Sequence, residues 1–479
     1  MNAAPEKRRI LVAGSWEESQ TPLDVVNPYD GSVFATTFVA GEPELERATR
    51  AAVAAAPAMR RLAAYERSEI LARACDELRR RREEIGRTIA SEVGKALRDA
   101  LGEADRGALT FQAASEEARR IAGDEVPIDL APHGRGRIAF TRRFPIGPVA
   151  AISPFNFPFN LAAHKLAPAV AAGNPVVLKP ASKTPLSALV LAEALDRAGL
   201  PKGALSVLPM ARATGDRLVT DERFKLLTFT GSSAVGWGMK ARAGRKKVVL
   251  ELGGNAGVIV DESADLDLAA GRVASGGFAL AGQSCISVQR VFVHARVFDR
   301  FASMLVDRAE ALKVGDPLDP ATEVGPMVDE GEAERVEAWV GEAVAAGARV
   351  LTGGKRLGGA LYAPTVLSGV PVTARVCAEE VFAPLVGLYP FDDFDRAIDE
   401  VNRSSYGLQA GVFTNDLRHA LAAFDGIEAG GVMVNDVSSW RMDNMPYGGV
   451  KDSGLGREGP RYAIEEMTET KIVVINGAR

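Results

Sequence analysis

Three side chains in separate short motifs could carry covalent chemistry on a carbonyl group. The first is Cys285, which follows Ala-Gly-Gln-Ser at the end of a helical pattern that Gly282 is expected to terminate. A thiolate is the reactive form of cysteine, and a loop position near backbone donors or a cationic cofactor would lower its pKa. A lone cysteine is more often a packing residue, so Cys285 taken alone is only a candidate nucleophile.

Glu251 and Asn156 are the types of residue that such a nucleophile needs. Glu251 ends an apolar run and precedes two glycines, where a carboxylate serves either as a general base or as a helix cap. Asn156 lies in a loop after another apolar run, where its amide either donates to an oxyanion or simply forms a turn. These motifs alone leave both alternatives open.

The composition limits the classes of protein that the chain can belong to. Its 479 residues are too many for one hydrophobic core, and 47% hydrophobic residues are enough to fold. A net charge of -5 argues against a nucleic-acid partner. The longest apolar stretch, 161–178, contains charged residues and prolines, so we expect neither export nor a membrane span. Three cysteines without a CxxC pair and four histidines without ligand spacing predict a reducing, cytoplasmic compartment and no metal.

Apolar β-branched runs alternate with helical segments in the first half of the chain. The runs are 149–152, 176–178, 205–208, 226–229 and 248–251, after a helical region at 42–123. This alternation predicts an α/β fold with a doubly wound parallel sheet, in which ligands bind beyond the carboxyl ends of the strands. A second α/β pattern follows, with a helix near 266–281 and strands at 291–294 and near Leu351, Val412 and Val432.

Six motifs together resemble the aldehyde dehydrogenase superfamily, and the resemblance runs from about residue 27 to 475. They are Phe155-Asn156-Phe157-Pro158, Lys179-Pro180-Ala181-Ser182, Phe229-Thr230-Gly231-Ser232, Glu251-Leu252-Gly253-Gly254, Gly282-Gln283-Ser284-Cys285 and Glu380-Val381-Phe382. Each motif is weak alone, but their common order makes coincidence implausible. Segments 282–290 and 441–449 look most like the branch of lactaldehyde, phosphonoacetaldehyde and non-phosphorylating glyceraldehyde-3-phosphate dehydrogenases.

The resemblance implies a mechanism and a fold. Cys285 would attack the aldehyde, the Asn156 amide and the Cys285 backbone N–H would hold the oxyanion, and Glu251 would activate water to hydrolyse a thioester. The implied fold has a Rossmann-like cofactor domain at 1–123 and 145–252 and an α/β catalytic domain at 253–445. A small β bridging subdomain at 124–144 and 460–479 would assemble a homodimer or a homotetramer.

The resemblance also implies NAD or NADP as cofactor. Lys179 resembles the lysine that binds the adenosine ribose, Glu380 the glutamate that holds the nicotinamide ribose, and Phe382 a residue beside the ring. Gly231 and Ser232 start a helix where backbone amides suit a pyrophosphate. Gly215, in a loop with fewer glycines than a standard fingerprint, belongs to the same site. Ser182, followed by Lys183, stands where an acidic residue would repel a 2′-phosphate, so we expect NADP to be accepted.

Four cationic or potentially cationic side chains predict the character of the small aldehyde. They are Arg106, His164, Arg290 and Arg441, which lie in segments expected to reach the mouth of the substrate site. An arginine pair would hold a phosphonate, phosphate or carboxylate in a bidentate manner. The sequence therefore favours a hydroxy-aldehyde or an anionic aldehyde, although each side chain alone could form a salt bridge.

Three other readings explain part of the pattern. A thiol hydrolase would pair Cys285 with a histidine, but it gives no role to Lys179, Glu251 or Glu380. A CoA-acylating aldehyde dehydrogenase would have no use for a hydrolytic base at Glu251. A non-catalytic binding protein with the same fold would be expected to lack Cys285 or Glu251.

Overall fold

The computed structural model describes residues 6–477. The strands are β1 Glu6–Lys7, β2 Ile10–Val12, β3 Ser15–Glu17, β4 Thr21–Val26, β5 Val33–Val39, β6 Arg137–Pro145, β7 Val149–Ile152, β8 Val176–Lys179, β9 Leu205–Val207, β10 Leu226–Thr230, β11 Lys247–Glu251, β12 Ala256–Val260, β13 Val288–His294, β14 Arg349–Thr352, β15 Arg356–Gly358, β16 Leu361–Tyr362, β17 Thr365–Ser368, β18 Leu385–Phe391, β19 Tyr406–Gly407, β20 Gln409–Phe413, β21 Gly431–Val434, β22 Val450–Lys451, β23 Gly454–Leu455 and β24 Thr468–Asn476. The helices are α1 Glu42–Arg61, α2 Ala64–Arg80, α3 Arg82–Val93, α4 Leu97–Ala118, α5 Asn160–Ala172, α6 Leu186–Arg197, α7 Arg212–Thr220, α8 Ser233–Arg242, α9 Leu266–Phe278, α10 Phe298–Ala311, α11 Glu330–Ala345, α12 Arg375–Ala378, α13 Phe394–Asn402, α14 Leu417–Gly426 and α15 Pro460–Glu466.

The first large sheet has eight strands in the order β23-β11-β10-β7-β8-β9-β2-β3. Its five central strands, β11 to β9 in that order, are parallel, and they coincide with the five predicted runs to within one residue at each end. Strands β7 and β10 are buried along their whole length because helices cover both faces of the sheet. The prediction of an α/β fold with a parallel sheet is confirmed.

The second large sheet has seven strands in the order β14-β17-β18-β13-β12-β20-β21, all parallel except the β14–β17 pair. It has its own hydrophobic core, and its strands include those predicted near Leu351, Val412 and Val432. The predicted helix is shorter than expected. Helix α9 ends at Phe278, and a tight turn continues the chain to Gly282.

Two strands that are distant in sequence form a separate antiparallel ribbon. Strand β6 pairs with β24 over nine residues, from Arg137 opposite Asn476 to Pro145 opposite Thr468. The sequence suggested this pairing from two outlying segments, 127–143 and 471–475. Residues 1–5, at the start of the expected cofactor domain, and residues 478–479, at the end of the expected bridging subdomain, lie outside the described residues.

The helices of the described chain include none that could cross a bilayer, since none is both long and apolar enough.

Candidate active site

A turn of unusual backbone conformation presents Cys285. Three successive residues before it, Leu280, Ala281 and Gly282, have φ of 52°, 50° and 68°. Left-handed geometry costs a non-glycine residue on the order of 1–3 kcal/mol, so the surrounding structure must hold the turn in place. Gln283 contributes, because its buried side chain accepts from the Val328 amide at 2.8 Å and donates to the Leu280 carbonyl at 3.2 Å.

Cys285 is half-buried and faces a cavity of about 460 Å³. Its sulfur lies 3.1 Å from the hydroxyl of Tyr447. Burial raises the pKa of the Cys285 thiol to about 12, and the carboxylates of Glu380 and Glu251 act in the same direction. Burial thus outweighs the Tyr447 hydrogen bond, and a lowering of this pKa by a cationic cofactor stays a prediction.

Asn156 lies next to this turn, as its proposed role requires. It is buried, and its amide nitrogen donates to the backbone carbonyl of Gln283 at 3.0 Å. An asparagine amide carries two hydrogens, so this bond fixes the orientation of the group and leaves the second hydrogen for another acceptor. The main chain that carries the nucleophile thus also orients the candidate oxyanion donor.

Glu251 ends β11 in a buried position between the two large sheets. Its side chain is 3% exposed, and neither carboxylate oxygen has a hydrogen-bond partner among residues 6–477. Burial raises the pKa of Glu251 well above its ordinary value, and the nearby carboxylate of Glu458 raises it further. A buried carboxyl with a raised pKa has the properties of a general base that works near neutral pH.

The two glycines that follow Glu251 and Leu252 let two other groups pack closely against this segment. These groups are the Glu380 carboxylate at Gly253 and the Cys285 carbonyl at Gly254. A Cβ on Gly253 would lie 2.6 Å from the Glu380 carboxylate, and one on Gly254 would lie 2.1 Å from the Cys285 carbonyl oxygen. The Gly254 amide donates to Glu380 at 2.8 Å, while burial raises the pKa of Glu380 to about 7. Glu380 therefore keeps an acceptor oxygen that a pair of ribose hydroxyls would suit.

The remaining cofactor candidates lie around the carboxyl ends of β8 and β10. Lys179 ends β8, and its aliphatic chain passes over Gly215, where a Cβ would lie 2.7 Å from the lysine Cδ. Gly231 precedes Ser232, the N-cap of α8, whose first amides have no partner within the helix. These residues fit a dinucleotide, because they combine a cradle for a lysine with a helix N-terminus.

Two further cofactor candidates flank this region. Phe382 has a φ of 53° and meets Phe155 edge to face at 5.9 Å between ring centroids. Ser182 lines a different cavity together with Lys183, whose ammonium group is paired with Asp329 at the start of α11. A 2′-phosphate would therefore compete with Asp329 for Lys183.

Two of the four predicted substrate cations line the cavity at Cys285. Arg441 is 4% exposed, lies 3.3 Å from Glu458, and its Nε has no hydrogen-bond partner among the described residues. Arg106 is 32% exposed and binds both carboxylate oxygens of Asp443 at 2.9 Å. Both guanidinium groups are thus held on the wall that faces the nucleophile.

The other two predicted substrate cations do not line this cavity. His164 lies one layer behind it, with Nε2 at 2.9 Å from Asp443 and 3.1 Å from Arg441. Arg290 is buried elsewhere and donates to the side chain and carbonyl of Asn255 and to the carbonyls of Glu400 and Val401. The structure therefore fixes His164 and Arg290 inside the protein, away from the wall of this cavity.

Sequence reasoning missed several residues that complete the site. They are Tyr447 on the Cys285 thiol, Gln283 under Asn156, Asp443 and Glu458 beside the arginines, and the buried pair Lys95–Glu103 on the cavity wall. Three of them, Gln283, Asp443 and Tyr447, lie inside motifs quoted above, and the phenol of Tyr447 could have been recognised as a donor.

The histidines do not support a thiol hydrolase. The sulfur of Cys285 contacts Tyr447, whereas His294 caps a 3₁₀ turn and His419 stacks on Phe394 beside Asp261. His164 contacts Asp443 and Arg441, as described above. A cysteine–histidine pair is therefore absent from these contacts.

Comparison with known proteins agrees with this geometry. Residues 16–473 match the aldehyde dehydrogenase family. A 3-sulfolactaldehyde dehydrogenase from Priestia aryabhattai is 48% identical over 98% of this chain and 98% of its own length. Two solved structures superpose with similar coverage: aldehyde dehydrogenase 21 from Physcomitrella patens in complex with the reaction product succinate, and glyceraldehyde-3-phosphate dehydrogenase GapN from Methanocaldococcus jannaschii complexed with NADP. The first has a TM-score of 0.97 and 48% identity over 99% of both chains, and the second 0.91 and 39% over 96% of this chain and 100% of the other.

The chain belongs to the aldehyde dehydrogenase family. It is an oxidoreductase that acts on aldehydes with NAD(P), as the motifs predicted, and its relatives fall in the suspected branch. The alternative of a non-catalytic protein with this fold is not supported, since Cys285 and Glu251 stand together at the site.

Proposed function

We propose that the chain oxidises a short anionic aldehyde to the corresponding acid, with Cys285 as nucleophile. One observation carries the proposal: the cavity at Cys285 also holds Arg441 and Arg106 on its wall. The Nε of Arg441 lies 3.9 Å from an Asp443 oxygen and makes no hydrogen bond among residues 6–477, and a buried guanidinium donor without an acceptor is costly. A carboxylate, sulfonate or phosphate on the substrate would supply that acceptor.

The relatives support an anionic substrate in different ways. One relative is named for a sulfonated aldehyde, a second was solved with succinate as its reaction product, and a third is named for a phosphorylated aldehyde. The two aldehydes, and the semialdehyde whose oxidation gives succinate, each have a short carbon chain and one anionic group, and a cavity of about 460 Å³ has room for such a chain.

Acylation begins at Cys285. Its sulfur forms a bond to the aldehyde carbon, and the electron pair of the C=O π bond moves onto oxygen. The free amide hydrogen of Asn156 and the Cys285 backbone N–H would hold this oxyanion, which is the largest electrostatic demand of the step. Seven residues would hold NAD(P), which when bound would accept the hydride from the aldehyde carbon: Lys179, Ser182, Gly215, Gly231, Ser232, Glu380 and Phe382.

Deacylation requires a base, and Glu251 fits this role. Its carboxylate takes a proton from water as the water oxygen bonds to the thioester carbon, and the C–S bond then breaks to release Cys285. Because Glu251 is buried without a partner, its unused oxygens are available to that water. A base in this position favours hydrolysis over transfer to CoA.

The experiment compares charged and neutral aldehydes in two arginine variants. In Arg106→Gln and Arg441→Gln, we expect KM for 3-sulfolactaldehyde and succinate semialdehyde to rise about 10- to 100-fold, since each loses a charged hydrogen bond. KM for lactaldehyde and propionaldehyde should change little. Arg396→Gln is a matched control, because Arg396 lines a different cavity.

Two outcomes would overturn parts of this proposal. Equal effects on charged and neutral aldehydes would indicate structural arginines and a neutral hydroxy-aldehyde substrate. Strict dependence of product formation on added CoA would indicate the acylating reaction in place of hydrolysis.

We also propose that the protein works as a homodimer or homotetramer in a reducing compartment such as the cytoplasm. The three cysteines are free in the structure, and Cys285 must remain a thiol to act. Helix α14 exposes Leu417, Leu421 and Phe424 on one face, and β24 is almost wholly exposed. Apolar surface of this kind is a common feature of subunit interfaces.

A further inference from the structure

Tyr447 contacts the sulfur of Cys285, and the acylation and deacylation steps described above give it no role. Its side chain is 3% exposed and packs with Ile286, Leu408 and Cys285 in a small apolar cluster. The hydroxyl lies 3.1 Å from the Cys285 sulfur. A buried tyrosine hydroxyl generally requires a hydrogen-bond partner, and here that partner is the nucleophile itself.

The direction of this hydrogen bond follows from the protonation states. Once Cys285 is a thiolate it can only accept, so the Tyr447 hydroxyl must be the donor. Burial raises the pKa of Tyr447 well above its ordinary value, and the nearby Cys285 and Glu251 act in the same direction. Tyr447 therefore keeps its proton at neutral pH and acts as a neutral donor, not as a base.

Charged groups on several elements face the same sulfur. Glu380 and Glu251 disfavour a thiolate, whereas Tyr447 and Arg441 favour it. The guanidinium of Arg441 also lies 3.6 Å from the centroid of the Tyr447 ring. A cation over the ring draws electron density from the phenol and strengthens its hydroxyl as a donor.

We propose that Tyr447 is a catalytic residue of acylation. Its hydroxyl donates a hydrogen bond to the Cys285 sulfur and so stabilises the attacking thiolate. Before attack, the S–H bond breaks and its proton passes to water in the cavity. The sulfur electron pair then forms the S–C bond, the C=O π pair moves to oxygen, and the Tyr447 O–H bond stays intact. The inference rests on Cys285 being the nucleophile, but not on the identity of the aldehyde.

The test is the pH dependence of Cys285 alkylation by iodoacetamide, without aldehyde or cofactor. Below its inflection the rate is proportional to the thiolate fraction. In Tyr447→Phe, which keeps the ring and loses only the hydroxyl, we expect the rate at neutral pH to fall about tenfold and the inflection to move to higher pH. KM for the aldehyde should change little, while the rate of the first turnover falls.

Two controls separate this role from a structural one. Tyr362→Phe removes another buried hydroxyl, one without a partner among the described residues, and should leave the profile unchanged. Mass spectrometry of the Cys285 peptide, with Cys285→Ser as blank, separates this thiol from the buried Cys75 and Cys377.

Two results would overturn the inference. One is a Tyr447→Phe profile that superposes on the wild type. The other is an equal fall in both tyrosine variants. If Tyr447→Phe does not fold, Tyr447→Met, which also lacks a donor, must show the same displacement. Persistence of aldehyde oxidation in Cys285→Ser would instead refute the nucleophile assignment.

Discussion

At the scale of single residues, the site depends on groups whose charged forms are disfavoured in the resting enzyme. Glu251 and Cys285 both have pKa values raised by burial, and each lacks a cationic hydrogen-bond partner. Burying such groups without partners lowers the stability of the folded protein, so a purely structural role would not explain them. The Glu251 carboxylate also acts electrostatically on the Cys285 thiol, which indicates that the cost is retained for the reaction.

We expect Glu251→Gln to separate the two halves of the reaction. The amide keeps the shape of the side chain but cannot take a proton from water. The variant should give a burst of reduced cofactor equal to the concentration of active sites and then stall, because the thioester accumulates. Stopped-flow absorbance measures the burst, and intact mass spectrometry detects the acyl enzyme.

The raised pKa of Glu251 also predicts how the steady-state rate of the wild-type enzyme depends on pH. Only the carboxylate form of Glu251 is a base, and its pKa lies above the ordinary range. The steady-state rate should therefore be low under acidic conditions and rise as the pH passes this raised value. Full turnover by Glu251→Gln would contradict both statements.

A sequence can show which residues stand next to a strand or a helix, but it does not show which residues they contact in the folded protein. Cys285, Glu251 and Asn156 each follow a recognisable strand or helix, so their placement could be predicted. Arg290 and His164 do not line the cavity at Cys285, and a sequence does not show that a carbonyl or Asp443 already occupies their donors. Tyr447 was missed because its contact with Cys285 joins positions 162 residues apart.

At the scale of elements, two buried glutamates fix the helices that follow the functional loops. Glu103 on α4 accepts from the amides of Phe159 and Asn160 at 3.0 and 3.1 Å, at the start of α5. Glu92 on α3 accepts from Leu186 and Ser187 at 2.9 and 3.0 Å, at the start of α6. The loops at Asn156 and Lys179 are thus each bounded by a strand and a capped helix.

Glu103 has a second function, since it also pairs with Lys95. Both side chains are 1% exposed, and the lysine ammonium lies 3.6 Å from the centroid of the Phe157 ring. Glu103→Gln should lower the free energy of unfolding by about 3–5 kcal/mol, because it leaves Lys95 buried without its counter-charge. It should also lower kcat through a less ordered Asn156 loop.

Urea unfolding of Glu103→Gln and of the double variant Lys95→Met with Glu103→Gln measures this effect. Removing both charges should recover part of the lost stability, because no uncompensated ion remains. If the single variant is as stable as the wild type, the pair does not hold the loop.

Some of these elements could be predicted from the sequence and others could not. The strands of the first sheet were predictable because buried parallel strands are continuous apolar runs. The left-handed turn at Leu280 and Ala281 was not, since neither residue type favours that conformation. Tertiary packing holds the turn, including the close approach at Gly282, where a Cβ would lie 1.9 Å from the Ala383 carbonyl.

At the scale of the whole molecule, the site forms where the two large sheets meet. Strand β11 carries Glu251 and belongs to the first sheet, whereas the turn with Cys285 precedes β13 of the second. Segment 447–458 contacts both, because Tyr447 reaches Cys285 while β23 pairs with β11. The central strands of the first sheet were predictable from sequence, but this docking was not, because it depends on contacts between segments far apart in the chain.

The last prediction concerns assembly. Leu417, Leu421 and Phe424 are 73%, 54% and 67% exposed on one face of α14, a burial pattern that is unfavourable for an isolated subunit. We expect light scattering at micromolar concentration to give two or four times the 50.7 kDa chain mass. The double variant Leu421→Glu with Phe424→Glu should reduce that mass, because it would place charges in an apolar contact. Leu357→Glu, on a different exposed surface, is the matched control and should leave the mass unchanged. A monomeric wild type would contradict the proposed assembly, and an oligomer that tolerates the double variant would exclude this face of α14 as its interface.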